Sequence, residues 1–552
     1  MRTYQLLIAM GLLSIVIGCT TTPSRTFAST SATYSESFPW WNDTVFYEVF
    51  IRSFFDSNGD GIGDFNGLTS KLDYLNDGNP ATTTDLGITG LWLMPIFPSP
   101  SYHGYDVSDY YSVNSQYGSM DDFKHLLTEA HKRGIRVLID LVMNHTSDQH
   151  PWFQQAVSDP ASPHRDWYIW SATDPGYSGP WSETVWHPSP TGYYYGIFTS
   201  AMPDLNYNNP AVTQEMDKVV RFWLQDIGVD GFRLDAAKHL VEEGTKQENT
   251  DATHQWFSNF RPVFKAINPQ ALTVGEIYGD NLSTLASYLK GDQLDLAFDF
   301  DLASSFINSA IYGEALSTTN QLQYAEKLLP PHQYATFLTN HDQDRILSQL
   351  VGNISKAKVA ASLLLTAPGV PFVYYGEEIG MEGTKPDEQI RRPMQWTAET
   401  NAGFSLSTPW EPLASNYQTH TVAAENGDPT SLLNHYRILI HLRNESATLR
   451  IGDLNVVRSS HKGIYSILRI YKGEAVLVLV NLTNTAVSRY NLSLDKSTLA
   501  GGKYLLQPLL GNIAFPDLII KTNGGLSGYS PAVEIPPYAT IILQLKKTQA
   551  SQ

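Results

Sequence analysis

Three carboxylates set far apart along the chain, Asp235, Glu276 and Asp342, each close a short run of mostly apolar residues. The runs are Gly231-Phe232-Arg233-Leu234-Asp235, Val274-Gly275-Glu276 and Thr339-Asn340-His341-Asp342. A fourth, Asp140-Leu141-Val142-Met143-Asn144-His145, ends in histidine. Strands that carry polar groups into a shared site at their C-terminal ends have this form. A protonated carboxyl beside an ionised one can cleave a glycosidic bond: the acid protonates the leaving oxygen while the carboxylate meets the anomeric carbon.

The elements that must position these groups alternate. Candidate strands are Val45–Phe50, Ile88–Met94, Ile135–Val142, Gly231–Ala236, Leu272–Ile277, Leu294–Phe300, Tyr334–Leu338 and Pro371–Tyr375. Amphipathic stretches lie between them, among them Met120–Arg133, Ala211–Ile227 and Ser355–Thr366, and Gly134 and Gly228 stand where two of these should stop. Eight strand–helix units predict parallel strands closed into a (β/α)8 TIM barrel. The rival, an open doubly wound sheet, lacks a Gly-x-Gly-x-x-Gly turn after the first strand. After strand three, His145 to Leu205 shows no clear helical periodicity and carries five Trp and five Tyr, which predicts an inserted domain over the barrel mouth. His435–Arg443 reads as the last barrel helix. Beyond it, alternating segments such as Ala475–Leu482 and Thr540–Leu545 predict a C-terminal all-β sandwich. The expected divisions are 1–18 signal peptide, 19–37 tether, 38–144 and 206–446 barrel, 145–205 insertion and 447–552 β domain.

Of the 552 residues, 42% are hydrophobic and 17% charged, enough apolar surface for a large core. A net charge of −18 without a Lys/Arg run argues against nucleic acid as a partner. Aromatics reach 12%, and their rings match the apolar faces of sugars as well as they fill cores. Arg2 precedes an apolar stretch from Leu6 to Ile17, the pattern of a processed signal. The only cysteine, Cys19, follows Val16-Ile17-Gly18, so no intrachain disulfide forms. Val16-Ile17-Gly18-Cys19 resembles the bacterial lipoprotein signal, which implies a lipid on Cys19 as the one membrane link and a site on the outer face of the cytoplasmic membrane. No later apolar run reaches about 18 residues.

Asp56-Ser57-Asn58-Gly59-Asp60-Gly61-Ile62-Gly63-Asp64 sets oxygen side chains at alternate positions with glycine between them. A short loop of this kind wraps a hard cation such as Ca²⁺, here through Asp56, Asn58, Asp60, Asp64 and the Ile62 carbonyl. The twelfth position is Gly67 rather than a bidentate Glu, so the loop is not an EF-hand.

Taken in order, the four segments resemble the signature regions of the α-amylase family, family 13 of the glycoside hydrolases. A fifth segment, Met202-Pro203-Asp204-Leu205-Asn206, matches as well, and the likeness runs from Trp40 to the end of the chain. The resemblance implies Asp235 as nucleophile, Glu276 as acid/base and Asp342 as the carboxylate that holds sugar hydroxyls. It implies sugar contacts for Tyr105, His103, His145, His341, Lys238 and His239, with Arg233 keeping Asp235 ionised. It also implies a second Ca²⁺ site at Asn144, Asp204 and the His239 carbonyl.

Within the family the resemblance is to a group between oligo-1,6-glucosidases and neopullulanases. Tyr102 stands where exo-acting relatives carry an Asp, Ala236 follows the nucleophile position, and Lys238-His239 matches the amylase pair. These imply endo cleavage of α-1,4 links in starch and maltooligosaccharides by a monomer, with side activity on pullulan and transfer to sugar acceptors. The Asp56–Asp64 loop and Arg391-Arg392-Pro393-Met394-Gln395-Trp396 look instead like oligo-1,6-glucosidase segments, so an exo-acting α-glucosidase stays open. A non-catalytic carbohydrate-binding or transporter-associated relative typically loses one of the three carboxylates, and all three are present here.

Overall fold

The computed structural model describes residues 38–548, so the expected signal segment, Cys19 and the tether lie outside the described residues. The chain forms β1 (Phe46–Val49), β2 (Gly90–Leu93) and β3 (Arg136–Leu141). An insertion then carries β4 (Trp170–Ser171), β5 (Trp186–Ser189) and β6 (Gly192–Tyr195). The series resumes with β7 (Gly231–Leu234), β8 (Leu272–Gly275), β9 (Leu296–Ala297), β10 (Ala335–Thr336) and β11 (Val370–Tyr374). Eight strands form one sheet in the order β10-β11-β1-β2-β3-β7-β8-β9. A parallel bridge from Phe298, just past β9, to Ala335 of β10 closes it into the expected barrel.

Side chains on a strand alternate between faces. The inward positions Phe46, Trp92, Leu138, Leu272, Val274, Leu296, Phe298, Phe337, Val370 and Phe372 fill the barrel with one apolar cluster. Phe46 and Phe372 stack at 4.5 Å, 9° from parallel. Two residues further along the same faces the inward positions turn polar: Glu48 on β1, Asp140 on β3, Arg233 on β7 and Glu276 just past β8. The barrel plugs its own lower half and leaves a charged floor at its C-terminal mouth.

The expected helices are present. Met120–Lys132 starts with a capping box from Ser119 and Asp122 and stops before Gly134, whose φ is +75°. Pro210–Arg221 continues as a π-helical stretch, Phe222–Ile227, and ends at Gly228, φ +94°. In the insertion, where no helical period was expected, Pro151–Ser158 is a helix capped by His150. Only Phe153 and Ala156 of its eight residues are buried, too few to set a period. β4, β6 and β5 form a small antiparallel sheet beside that helix.

C-terminal to the barrel lie β12 (Asp453–Val456), β13 (Arg458–Ser459), β14 (Ile464–Tyr471), β15 (Glu474–Asn481) and β16 (Leu492–Leu494). They are followed by β17 (Gly502–Leu510), β18 (Leu518–Ile520), β19 (Leu526–Tyr529) and β20 (Thr540–Lys547). The six-stranded sheet β12-β14-β15-β20-β17-β18 and the three-stranded sheet β13-β16-β19 share a core built around Leu477, Leu479, Leu492, Ile541 and Leu543.

Close approaches also fix glycines in the barrel strands. A Cβ on Gly90 would lie 2.5 Å from the Phe46 ring and 2.7 Å from the Thr44 methyl. Gly90→Val should therefore lower stability by about 1–3 kcal/mol, the cost of overpacking a filled core. An unchanged urea midpoint for the variant would show that β2 has room the structure denies it.

Candidate active site

Arg233 organises the mouth. It is 1% exposed and lies in register with Asp140 of β3. Its Nη1 donates to Asp140 Oδ1 and Oδ2 at 2.9 and 3.0 Å and to Asp235 Oδ1 at 2.6 Å, and its Nη2 donates to Glu276 Oε2 at 2.7 Å. The Ala236 N–H also donates to Glu276 Oε2, at 3.2 Å. One guanidinium thus bridges the ends of β3, β7 and β8.

A second chain of contacts crosses the floor. Tyr105 Oη donates to Asp140 Oδ2 at 2.9 Å and meets His341 Nε2 at 2.7 Å. His341 Nδ1 donates to Glu48 Oε1 at 2.5 Å, and its Nε2 lies 3.1 Å from Asp342 Oδ2. The Tyr105 and His341 rings stack at 5.5 Å, 15° from parallel, so the tyrosine offers a ring at the site floor. Arg391 Nη2 holds Asp342 Oδ1 at 2.8 Å and Asp387 Oδ2 at 3.0 Å, while its Nε donates to the His341 carbonyl. Asp235, Glu276, Asp342, Tyr105, Arg233 and His341, expected from the sequence, meet here. Glu48, Asp140, Arg391 and Asp387 were not among the expected residues. Glu48 and Asp140 had a signal: each is a charge inside an apolar strand segment, which water-free packing tolerates only when paired.

The remaining expected residues ring this centre. His145 Nε2 donates to the Tyr105 carbonyl at 3.1 Å, and His103 Nδ1 accepts the Tyr105 N–H at 3.1 Å. Lys238 is held by Glu248 at 2.8 Å and Asp280 at 3.1 Å. His239 Nδ1 donates to the Gln247 carbonyl at 3.0 Å, leaving Nε2 as an acceptor. Burial lowers both His145 and His239 to about 4, so both rings are neutral near pH 7.

Charge is unevenly shared. Burial raises Glu276 above the ordinary glutamate value; Arg233 opposes this, while Asp235 and Asp342 add to it. Burial likewise raises Asp235 against the pull of Arg233. Burial would strip His341 of its proton, but the charges of Asp342 and Glu48 overcome it and lift the imidazole to about 10. Burial acts on Asp342 as well, yet His341 and Arg391 hold it well below the usual carboxylate range. The arrangement raises the proton affinity of Glu276 and keeps Asp342 ionised, so carboxyls of unlike protonation share one floor, as perturbed groups at reactive sites do.

Two places were expected to hold cations. In the Asp56–Asp64 loop, buried Asp56 accepts from the Gly59 and Gly61 N–H groups at 2.7 Å each and from Ser405 Oγ at 2.6 Å. Asn58 Oδ1 and Asp60 Oδ1 accept from N–H groups two residues on, and Asp64 accepts from Ser57 and Gly67. The donor set suits a hard cation, and oxygens of all four side chains accept backbone N–H groups; among the described residues no three His, Cys, Asp or Glu side chains form a metal-holding group. At the seam between insertion and barrel, Asn144 Nδ2 donates to Asp204 Oδ2 at 3.1 Å, but buried Asn144 Oδ1 has no partner among the described residues. Burial lifts Asp204 to about 8, and burial together with Asp204 raises Glu242, whose Oε1 also lacks a partner. A buried carboxyl beside an orphaned amide oxygen fits a cation, and Glu242 adds a further carboxyl near Asp204.

Glu48→Gln should remove one of the two charges that keep His341 protonated. The His341 imidazolium resonances in ¹⁵N spectra should then disappear at lower pH than in the unsubstituted protein. An identical titration in both would mean that Glu48 does not control His341.

Comparison with known proteins agrees with this geometry. The family model "Alpha amylase, catalytic domain" matches residues 48–452. Alpha-amylase 3 of Dictyoglomus thermophilum is 42% identical over 450 residues, covering 80% of this chain and 85% of that protein. The trehalose synthase/amylase TreS of Mycolicibacterium smegmatis is 33% identical over 87% of this chain and 89% of its own. An oligo-1,6-glucosidase of Parageobacillus thermoglucosidasius is 32% identical over 80% of this chain and 90% of its own. The crystal structure of an α-amylase from H. orenii superposes with a TM-score of 0.80 at 42% identity, covering 91% of this chain and 99% of that one. Matched family model, shared barrel and clustered carboxylates together make this chain a member of the α-amylase family of glycoside hydrolases.

Proposed function

We propose that the chain is a retaining, endo-acting α-amylase that hydrolyses α-1,4-glucosidic bonds in starch and maltooligosaccharides. The observation that carries this is the pair Asp235 and Glu276 on one guanidinium. A single Arg fork holds both, as suits a retaining enzyme, in which the two carboxyl groups stand about 5–5.5 Å apart and one attacks directly. Asp235 attacks the anomeric carbon as Glu276 protonates the departing oxygen, giving a glycosyl ester. Glu276, now a carboxylate, takes a proton from the incoming water, whose oxygen displaces Asp235. Tyr105 lies under the reacting sugar, and Asp342 and protonated His341 hold its hydroxyls.

The endo reading draws on Tyr102. Its ring packs on Trp410 at 5.2 Å, with Arg391 at 5.9 Å over it. An aromatic ring engaged in packing, where exo-acting relatives carry an Asp, favours a cleft that runs on past the reacting sugar. An exo-acting glucosidase is the second reading, favoured by the match to an oligo-1,6-glucosidase. The deciding substrate is a maltoheptaoside blocked at its non-reducing end and carrying a chromophore at the other. Endo action releases shorter blocked fragments, and Glu276→Gln reduces that release by about 10²- to 10⁴-fold. Activity of the parent enzyme should fall as pH rises through the raised Glu276 value, because the proton it must donate is lost. Glucose released only from unblocked maltose or isomaltose would establish the exo reading.

The Asp56–Asp64 loop and the Asn144/Asp204/His239 seam are proposed Ca²⁺ sites. At the seam the cation would offset buried negative charge that otherwise costs stability as pH rises from the unfolded Asp value toward about 8. Calcium at about a hundred times its Kd would add about 2.7 kcal/mol. Excess chelator should therefore lower the melting temperature at neutral pH, and no change would remove both sites. A lipid on Cys19 would hold the enzyme at the outer face of the cytoplasmic membrane.

A further inference from the structure

Charge is divided along the chain. Residues 447–552 hold eleven of the 37 Lys and Arg but five of the 55 Asp and Glu, a net charge of +6 against −24 for the remainder. Arg469 is buried and donates to carbonyl groups, and Arg450 pairs with Asp43, yet the other charged side chains of the β domain still sum to a positive value. A split of this size between two parts of one chain points to an anionic partner for the basic part.

The basic side chains gather at one edge of the six-stranded sheet. On β17, β18 and β20, Tyr504, Leu506, Leu518, Ile520 and Leu545 enter the core of the β domain, so the alternate residues point the other way. Register sets Lys503 opposite Ile519 and Leu505 opposite Lys546, and Lys521 follows β18. Leu505 is 51% exposed and Ile519 60%. Asp517 pairs with Lys503 at 2.7 Å, and Asp495, which lies near Lys521, is taken by Arg458. The excess charge of the face therefore comes from Lys521 and Lys546. Lysines on an edge strand guard against strand addition, but that need does not leave leucine and isoleucine bare between them. Aliphatic side chains among lysines suit an anionic bilayer surface: the hydrocarbon enters the headgroup layer and the ammonium groups meet phosphates.

The place of the domain in the fold agrees. Arg469 of β14 donates to the Thr366 carbonyl at 2.9 Å, where the helix Ile354–Thr366 ends and β11 is about to begin. The β domain thus packs toward the end of the barrel where strands start, away from the mouth. The described chain enters at that end too: the Trp40–Asp43 turn leads into β1, and Arg450 Nε donates to Asp43 Oδ1 at 2.7 Å.

We propose that the face formed by Lys503, Leu505, Ile519, Lys521 and Lys546 docks on an anionic phospholipid surface. The contact is a second membrane link beside a lipid on Cys19, and it depends neither on that lipid nor on the amylase reading. With the β domain against the bilayer, the strand ends that carry Asp235 and Glu276 turn away from it, toward polymer arriving from outside.

The test measures partition of the full chain onto phosphatidylcholine vesicles with and without phosphatidylglycerol. The ratio of the two partition coefficients cancels any attachment that ignores headgroup charge, including one through the N-terminal apolar segment. It should stand well above one in dilute salt and fall toward one as salt screens the charges. K521Q/K546Q should lower it about 10- to 30-fold, at roughly fivefold for each lysine. L505S/I519S should weaken binding to the anionic vesicles while leaving binding to soluble dextran sulfate unchanged. Melting temperatures equal to the parent's establish that both variants are folded. A parent ratio near one would overturn the proposal, as would a ratio that K521Q/K546Q leaves unchanged. Loss in K521Q/K546Q with none in L505S/I519S would overturn the bilayer as occupant in favour of a soluble polyanion.

Discussion

The buried guanidinium of Arg233 is the constraint on which the site depends. A cation with 1% exposure is expensive to desolvate, and it survives here because four oxygens on three carboxyl groups surround it. Asp140, fully buried and in register with it across β3 and β7, is its permanent partner. Asp235 and Glu276 are the partners that face the mouth. Loss of Asp140 would break a buried pair, typically costing about 3–5 kcal/mol, and would leave the guanidinium to Asp235 and Glu276 alone. Tyr105, hydrogen-bonded to Asp140, would lose its anchor at the same stroke. The position of the reacting groups is thus inherited from a structural ion pair one layer below them.

That layer exists because of how the barrel is filled. Parallel strands with alternating side chains give every inward face the same sequence of environments, from apolar plug to open mouth. Phe46 and Glu48 are two residues apart on β1, as are Leu138 and Asp140 on β3, and Val274 and Glu276 along β8. The change from hydrocarbon to charge comes at the same height on each. The plug keeps water from reaching the charged floor from beneath, so the pairings above it act in a low-dielectric setting where they shift protonation.

Much of this was legible in the sequence because periodicity and end-of-strand polarity are local signals. All eight strands and the helices Met120–Lys132, Pro210–Arg221 and Ile354–Thr366 lie where apolar runs and glycine stops placed them. The three carboxylates were legible for the same reason: each ends its own segment. What escaped depends on contacts across the fold. Glu48 pairs with His341, almost three hundred residues away, and Arg391 reaches Asp342 from beyond β11. No spacing within one segment reports such pairs. The two-turn helix Pro151–Ser158 escaped because two buried positions cannot establish a period.

Charge counting explains where the mobile proton sits. Asp140, Asp235, Glu276, Glu48 and Asp342 face three cations, Arg233, His341 and Arg391. Five carboxyls cannot all ionise beside three positive charges in a mostly buried floor without large repulsion, so some protons are retained. Asp342 is the poorest place for one, since His341 and Arg391 both stabilise its charge. Asp140 and Glu48 have raised affinity for protons but are sealed beneath the mouth, where no substrate reaches. Glu276 and Asp235 both combine a raised affinity with partial exposure, and Arg233 holds each by only one of its two oxygens. The other oxygen of Glu276 is left to carry the proton toward a bound sugar. Burial, with the negative charge of Asp235 and Asp342 added to it and only Arg233 pulling strongly the other way, is what readies Glu276 for the proton-donating part proposed for it.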